Sequence, residues 1–387
     1  MKQQNFKIIY ASKGKYLQSD EIEHRKLRIL VAPLDWGLGH ATRCIPIISE
    51  LLTEGCEVWL AGEGAQEQLL KQEFPDLPFL SLKGYRVRYS GSSAMAWNML
   101  RQSSKIIKAI RDEHAWLKEK VEERGFDAVI SDNRYGLYHD KIPCVFITHQ
   151  LTIKTHFGKW AQKLLKAKNY KYINRFAACW VPDYEGANNL AGDLSHPDKK
   201  PIVPVRYIGP LSRFDIAVDS PIRSSGHLLF ILSGPEPQRT MFEDKIVSDI
   251  AHYNGSATVV RGLPGSANII PSTNTIRFYN HLPAHELNRE MSRASYIISR
   301  SGYSTVMDIT KLQKKAVFVP TPGQTEQEYL AEYLAEKKIA ARISQKRYSL
   351  PLALQLAESF SYTIPAIEQQ SSLKPVVTEF VQALHKH

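Results

Sequence analysis

Leu27-Arg28-Ile29-Leu30-Val31-Ala32-Pro33-Leu34-Asp35-Trp36-Gly37-Leu38-Gly39-His40-Ala41-Thr42 is the stretch on which the fold turns. Leu27 to Ala32 is a short apolar run of the kind that forms a buried strand in a parallel sheet. A loop with Pro and Gly follows. From Ala41 to Thr53, apolar Ile45, Ile48, Leu51 and Leu52 recur at helical spacing. Strand, glycine loop and helix in that order open an α/β fold. Glycines let the backbone approach a ligand, and free N–H groups at a helix start favour anionic groups. A dinucleotide fingerprint would need a third glycine where Thr42 stands, so even with Glu63 as a ribose-binding acid the NAD reading is weak. The unusual residue is His40. At the carboxyl edge of the sheet a titratable imidazole suits general-base work, whereas its bland reading is a polar helix-start residue.

Working outward, the same unit recurs. Glu57–Ala61, Phe79-Leu80, Ala128–Ser131, Cys144–Ile147 and Ala178–Val181 read as further strands, and Met95–Glu123 as a long helix. After the Pro-rich connection Val203–Leu211 the pattern restarts. Leu228–Leu232, Ala257–Val260, Thr275–Phe278, Tyr296–Ser299 and Ala316–Val319 are strands, and Val376–Leu384 is a last helix. Alternating strands and helices predict parallel sheets wrapped by helices. The expected architecture is α/β, with two doubly wound Rossmann-like domains. Residues 1–26 form an N-terminal extension, 27–205 the first domain, and 206–387 the second, terminal helix included.

Composition narrows the class. The 387 residues are 43% hydrophobic and 23% charged, which excludes wholesale disorder and fibrous folds. Four Cys without C-x-x-C spacing exclude a disulfide scaffold or a zinc ribbon, and suit a reducing cytoplasm. No apolar run approaches the ~18–20 residues of a transmembrane helix, and residues 1–26 have no apolar core of a signal peptide. The net charge of +11 points to an anionic partner. Between Lys141 and Pro182 there is no Asp or Glu but eight basic residues, so the excess is concentrated.

Three more junctions repeat the opening unit. Ser299-Arg300-Ser301-Gly302-Tyr303-Ser304-Thr305-Val306-Met307-Asp308 follows one strand and Leu232-Ser233-Gly234-Pro235 another. Thr321-Pro322-Gly323-Gln324-Thr325-Glu326-Gln327-Glu328 follows a third. Asp308 lies two turns into its helix, too far for a phosphate but able to reach a ribose hydroxyl; otherwise it is a solvated helix carboxylate. No Asp-x-Asp is present, so diphosphate charge falls to backbone dipoles and Arg or Lys. His139, Cys144 and His149 lack metal-ligand spacing, and neither G-x-S-x-G nor a P-loop occurs.

Taken together, these residues resemble the GT-B glycosyltransferases of family 28, most specifically in Ser299–Asp308, Phe318-Val319-Pro320 and Gln327. The resemblance implies a metal-independent, inverting transfer of a sugar from a UDP-sugar, with no cofactor. It implies that Ser301, Gly302 and Thr305 line the donor diphosphate and that Asp308 takes the place of a Glu holding the ribose. Phe278, Tyr279 and Leu282 fall in the segment whose backbone reads uracil. Ser233, Gly234 and Arg213 face the phosphates, and Gln327 and Glu328 hold the sugar hydroxyls. Gly37, Gly39 and His40 face donor phosphate and acceptor. His149-Gln150 stands on the acceptor side where the peptidoglycan enzyme has His-Glu, and an amide does not titrate. That leaves His40 or Asp132 as the base.

Thr152–Phe176 interleaves Lys and Arg with Phe157, Trp160, Leu164, Leu165, Tyr170, Tyr172 and Phe176. As a helix it has an apolar face with a basic rim, the composition of an element lying on an anionic membrane. The partners expected are a nucleotide-sugar donor, a glycan or lipid acceptor and such a surface at the inner face of the cytoplasmic membrane. The plain alternative is a helix packed on its own sheet. Nucleic acid is not expected, since it needs a wider basic face with stacking aromatics. Two rival functions stand. Gly37-x-Gly39-His40-x-x-Arg43-Cys44 also resembles the start of nucleotide-sugar hydrolases, and a non-catalytic nucleotide-binding protein would carry the same loops.

Overall fold

A computed structural model describes residues 25–85, 95–214, 226–264, 266–365 and 372–386. The expected extension at 1–26 lies almost wholly outside them.

The first sheet is built from β1 (Arg28–Pro33), β2 (Glu57–Gly62), β3 (Phe79–Ser81), β4 (Ala128–Asp132), β5 (Cys144–Ile147), β6 (Ala178–Val181) and β7 (Val205–Tyr207). Its helices are α1 (Leu38–Thr53), α2 (Ala65–Glu73), α3 (Met95–Arg124) and α4 (Gly158–Ile173). All strands pair in parallel, in the order β3-β2-β1-β4-β5-β6-β7. β1, β4 and β5 are buried along nearly their whole length, which explains their unbroken apolar sequence, since a parallel sheet is covered on both faces.

The second sheet contains β8 (Leu228–Ile231), β9 (Ala257–Val260), β10 (Ile276–Tyr279), β11 (Tyr296–Ser299), β12 (Ala316–Phe318) and β13 (Ala341–Arg342). Around it lie α5 (Gln238–Ile250), α6 (Ala284–Arg293), α7 (Tyr303–Lys311), α8 (Thr325–Glu336) and α9 (Leu350–Ser359); α10 (Leu373–His385) follows. The strands are again all parallel, ordered β10-β9-β8-β11-β12-β13. The two doubly wound sheets are therefore as expected.

The division between 205 and 206 falls inside β7, which pairs whole with β6. The chain stays with the first sheet to Gly209, whose N–H donates to Asp183 O, and crosses at Leu211 and Ser212, which bond to Met307 and Asp308 of α7. The terminal helix also departs from the expected assignment. α10 returns to pack on α1, burying Leu373, Val376, Val377 and Val381 in an apolar cluster that contains residues of both sheets.

In an open parallel sheet ligands bind beyond the carboxyl ends of the strands, where the strand order reverses. Those points lie between β1 and β4 and between β8 and β11. They place the loops after β1, β4, β8 and β11 at the centre of the molecule.

Candidate active site

α1 starts directly behind the β1 loop. Gly37, at φ +80°, makes the turn into it, a conformation that costs glycine little. The first turns of α1 and α7 have no acidic residue and no side-chain cap, so their N–H groups are left to solvent or an anion. In α5, by contrast, Thr240 N–H donates to Glu236 Oε2 at 3.1 Å and Arg239 N–H to Pro235 O. α8 differs, because Glu326 and Glu328 occupy its first turn.

His40 in that first turn, Asp132 at the end of β4 and His149 just after β5 converge at the carboxyl edge. Arg43, one turn beyond His40 and 2% exposed, joins them. Its Nε donates to Asp132 Oδ2 at 2.8 Å and its Nη2 bonds to Oδ1. Nη2 also lies 2.8 Å from His40 Nδ1, and Nη1 3.3 Å from His149 Nδ1. Asp132 Oδ2 is 3.1 Å from His40 Nδ1. Burial pulls the His40 pKa down and the neighbouring Arg43 charge pulls it further, against the opposing effect of Asp132. Burial alone would raise Asp132, but Arg43 and His40 outweigh it and hold the carboxyl below its ordinary range. Burial and Asp132 push the Cys44 thiol well up, so it is inert.

The second domain closes this cluster. From the first turn of α8, Glu326 Oε1 lies 2.8 Å from His149 Nε2, and its Oε2 accepts from Gln150 Nε2 at 2.5 Å. Burial acts to raise the Glu326 pKa, but the hydrogen bond from His149 and the nearby positive charge outweigh it and the pKa is lowered. The His149 ring stacks on Tyr303 of α7 at 4.2 Å, and Ser304 Oγ donates to Gly39 O at 3.0 Å. A Cβ at Gly39 would meet Ser304 Oγ at 2.6 Å, so glycine is needed there for close approach.

A second group surrounds Asp308. Ser212 Oγ donates to its Oδ1 at 2.6 Å. Burial pushes the Asp308 carboxyl up to about 7, against Ser212 and the nearby Arg213 charge. Arg213 is itself largely buried, 3.6 Å from Glu73, and its pKa is lowered by that burial.

A third group lies at the β8–α5 and β12–α8 loops. Ser233 and Gly234 are exposed, Gly234 at φ +104°. Beneath them Arg300 is buried, with Nη1 donating to Val319 O at 3.0 Å and Nη2 to Gln238 O at 2.8 Å; its Nε has no partner. Burial brings its pKa down to about 10. Thr321, 3% exposed, leaves its hydroxyl unpartnered beside Gly234.

Several expectations are redrawn by this geometry. Asp132 is sealed in, with both oxygens on Arg43, and cannot reach an acceptor; of the two candidate bases, only His40 faces the cleft. The Ser301 hydroxyl is spent on Gln327 O at 2.7 Å, so its side chain does not line a diphosphate. Gln327 is turned inward, its Oε1 accepting from Thr321 N, and Glu328 Oε1 clamps Gly323 N. The α8 residue that faces the cleft is Glu326. The Leu282 side chain is in the core and Phe278 and Tyr279 are half-buried at the end of β10. Gly302 opens α7, and Thr305 is half-buried in its first turn. Among the described residues no three His, Cys, Asp or Glu gather as metal ligands. Sequence reasoning quoted Arg43, Arg300, Thr321 and Glu326 within its motifs but gave none of them a role; for Arg43 the signal was its helical spacing from His40.

Two parallel-sheet domains meeting across their carboxyl edges are the GT-B architecture, and comparison with solved structures bears this out. The glycosyltransferase of kitacinnamycin superposes with a TM-score of 0.60 at 14% identity, covering 94% of this chain and 96% of that one. Residues 272–380 match the glycosyltransferase family 28 C-terminal domain. The chain is 21% identical over 351 residues to an uncharacterized glycosyltransferase of Methanosarcina acetivorans, covering 84% of this chain and 87% of that protein. It is 22% identical over 334 residues to the UDP-N-acetylglucosamine–N-acetylmuramyl-(pentapeptide) pyrophosphoryl-undecaprenol N-acetylglucosamine transferase of Haemophilus ducreyi, covering 83% and 86%. The chain is an enzyme of the glycosyltransferase class, and its resemblance to family 28 is upheld.

Proposed function

We propose that the enzyme is an inverting, metal-independent transferase that moves a sugar from a UDP-sugar to the hydroxyl of a lipid-linked acceptor, with His40 as base. One observation carries the assignment of the base. Asp132, His149 and Glu326 each have both polar atoms engaged, whereas Nε2 of His40 is bonded to no described residue. Its lowered pKa leaves the imidazole neutral near pH 7, as a base must be. In the proposed reaction the acceptor oxygen attacks the anomeric carbon as Nε2 takes its proton. The bond from that carbon to the diphosphate oxygen breaks, and its electron pair leaves with the diphosphate. The uncapped first turn of α7 and the buried Arg300 charge stabilise the developing negative charge.

The acceptor class rests on α4. Phe157, Trp160 and Leu164 are 66%, 77% and 58% exposed, flanked by exposed Lys159, Lys163 and Lys168. Leu165, Tyr170, Tyr172 and Phe176, by contrast, turn at least partly toward the sheet, so the face offered to a membrane is narrower than the composition suggests. Three large apolar side chains inside a basic rim fit an anionic bilayer, and would bring a lipid-linked acceptor to the cleft.

The test starts with calorimetric titration of UDP, GDP, CMP, ADP and TDP in EDTA, with selective UDP binding expected. UDP-sugars are then incubated with and without lipid acceptors, and the product anomer is read by NMR. The reading expects acceptor-dependent transfer with inversion. His40→Ala should lower kcat by roughly 10²–10⁴-fold. Complete donor turnover without acceptor would instead establish the hydrolase.

A further inference from the structure

We propose that Arg43 is a positioning residue that sets the tautomer of His40, holding the proton on Nε2 and so keeping the base disengaged in the resting enzyme. The inference rests on His40 being the base and adds what controls it. A guanidinium only donates, and it keeps its protons at any ordinary pH. With Arg43 Nη2 at 2.8 Å, Nδ1 of His40 presents its lone pair to that N–H. A neutral imidazole then carries its one proton on Nε2, the nitrogen that must be bare to accept a proton. His149 follows the same rule. Its Nδ1 faces Arg43 Nη1 at 3.3 Å, and its Nε2–H donates to Glu326 at 2.8 Å.

The competing state is also built in. Asp132 Oδ2, 3.1 Å from Nδ1, would accept an Nδ1–H and leave Nε2 bare. That state requires Nη2 to withdraw from His40, because two N–H groups cannot point at each other across 2.8 Å. Proton count and net charge are unchanged between the two; one proton leaves Nε2 to solvent and one is taken up at Nδ1. Among the described residues, the ionisable groups that act on His40 belong to one chain of contacts. It runs from Asp132 on β4 through Arg43 on α1 and His149 after β5 to Glu326 on α8, with Cys44 against Asp132 at 3.8 Å. Glu326 belongs to the other domain. A donor sugar that engaged it would release His149 and give Arg43 a freer partner, so that His40 could lose its Nε2 proton to solvent, take one up at Nδ1 and donate it to Asp132 Oδ2. The base would then be engaged only when the donor is in place, which withholds it from water.

The test is a histidine-selective ¹⁵N–¹H correlation spectrum of the full chain, taken where the rings are neutral and assigned with His40→Gln. The expected result is a His40 Nε2–H tautomer in the wild type and a shift to Nδ1–H in Arg43→Gln. That variant strands the buried Asp132 and can fail to fold, so Arg43→Lys is measured beside it. An ammonium keeps the charge on Asp132 but lacks the fork that spans Asp132 and His40 together, and the same shift is expected. An Nδ1–H tautomer in the wild type overturns the proposal, as does an unchanged Nε2–H tautomer in the folded variants. The spectrum requires no turnover. The fate of the base assignment itself is read separately, from the activity of the His40 variants.

Discussion

At Asp308 a single carboxyl shows how burial sets chemistry. Its two-turn distance from the helix start was legible in the sequence. Its surroundings were not, because Ser212 and Arg213 arrive from the crossover almost a hundred residues earlier. With a folded pKa of about 7 against an ordinary value near 3.8, the folded protein holds this proton more tightly than the unfolded chain. The stabilisation is fully present below about pH 4 and is lost as pH rises through about 7. Asp308→Asn stays neutral throughout. Its Tm should match the wild type on the acid side and exceed it by several degrees on the alkaline side, at about 2–4 °C per kcal/mol. Parallel melting curves of the two proteins across that range would show that the carboxyl is not held neutral. The same limit applied elsewhere. His40 stood out because a histidine in a glycine loop is locally odd. Glu326 did not, because its partners His149 and Gln150 lie about 176 residues away in the other domain.

At the scale of elements, the apolar runs of β1, β4, β5 and β8 were legible because a strand covered on both faces has no polar side to show. Three-residue β7 and two-residue β13 left no such trace. α4 is the element whose sequence pattern and structure diverge most usefully. Its basic and aromatic content was plain, but which aromatics point outward is decided by the packing of Asn169 and Ile173 against the first domain. Trp160 and Leu164 are the consequence, one turn apart and both exposed. Burying each in a bilayer interface is worth ~1.5–3 kcal/mol. Trp160→Glu with Leu164→Glu should therefore weaken binding to anionic vesicles by about a hundredfold or more, with turnover of a soluble acceptor and Tm little changed. Sedimentation with vesicles containing phosphatidylglycerol measures it. Undiminished binding would return α4 to the role of a solvated helix.

At the scale of the whole molecule, the last helix couples the two halves. The sequence showed a helix near Val376–Leu384 but not its destination, since nothing local states which sheet an amphipathic helix will cover. α10 leaves the second domain and lays Leu373, Val376, Val377 and Val381 against the first, with Phe380 edge-on to Trp180 at 5.4 Å. Thr378 Oγ1 donates to Glu54 at 2.6 Å. The exposed Arg206–Glu379 pair adds little. Four buried aliphatic side chains represent on the order of 6–12 kcal/mol as an upper bound. A free strap of this strength makes unfolding of the first domain and release of the second a shared event. Removing residues 372–387 should convert one calorimetric transition into two, with the earlier one belonging to the first domain, whose α1 is left bare. UDP should then shift only the later transition, because its expected contacts lie in the second domain and ligand binding stabilises what it binds. A single transition in the shortened chain, moved as a whole by UDP, would mean that the cross-cleft bonds of Glu326, Ser304 and Tyr303 couple the domains without the helix.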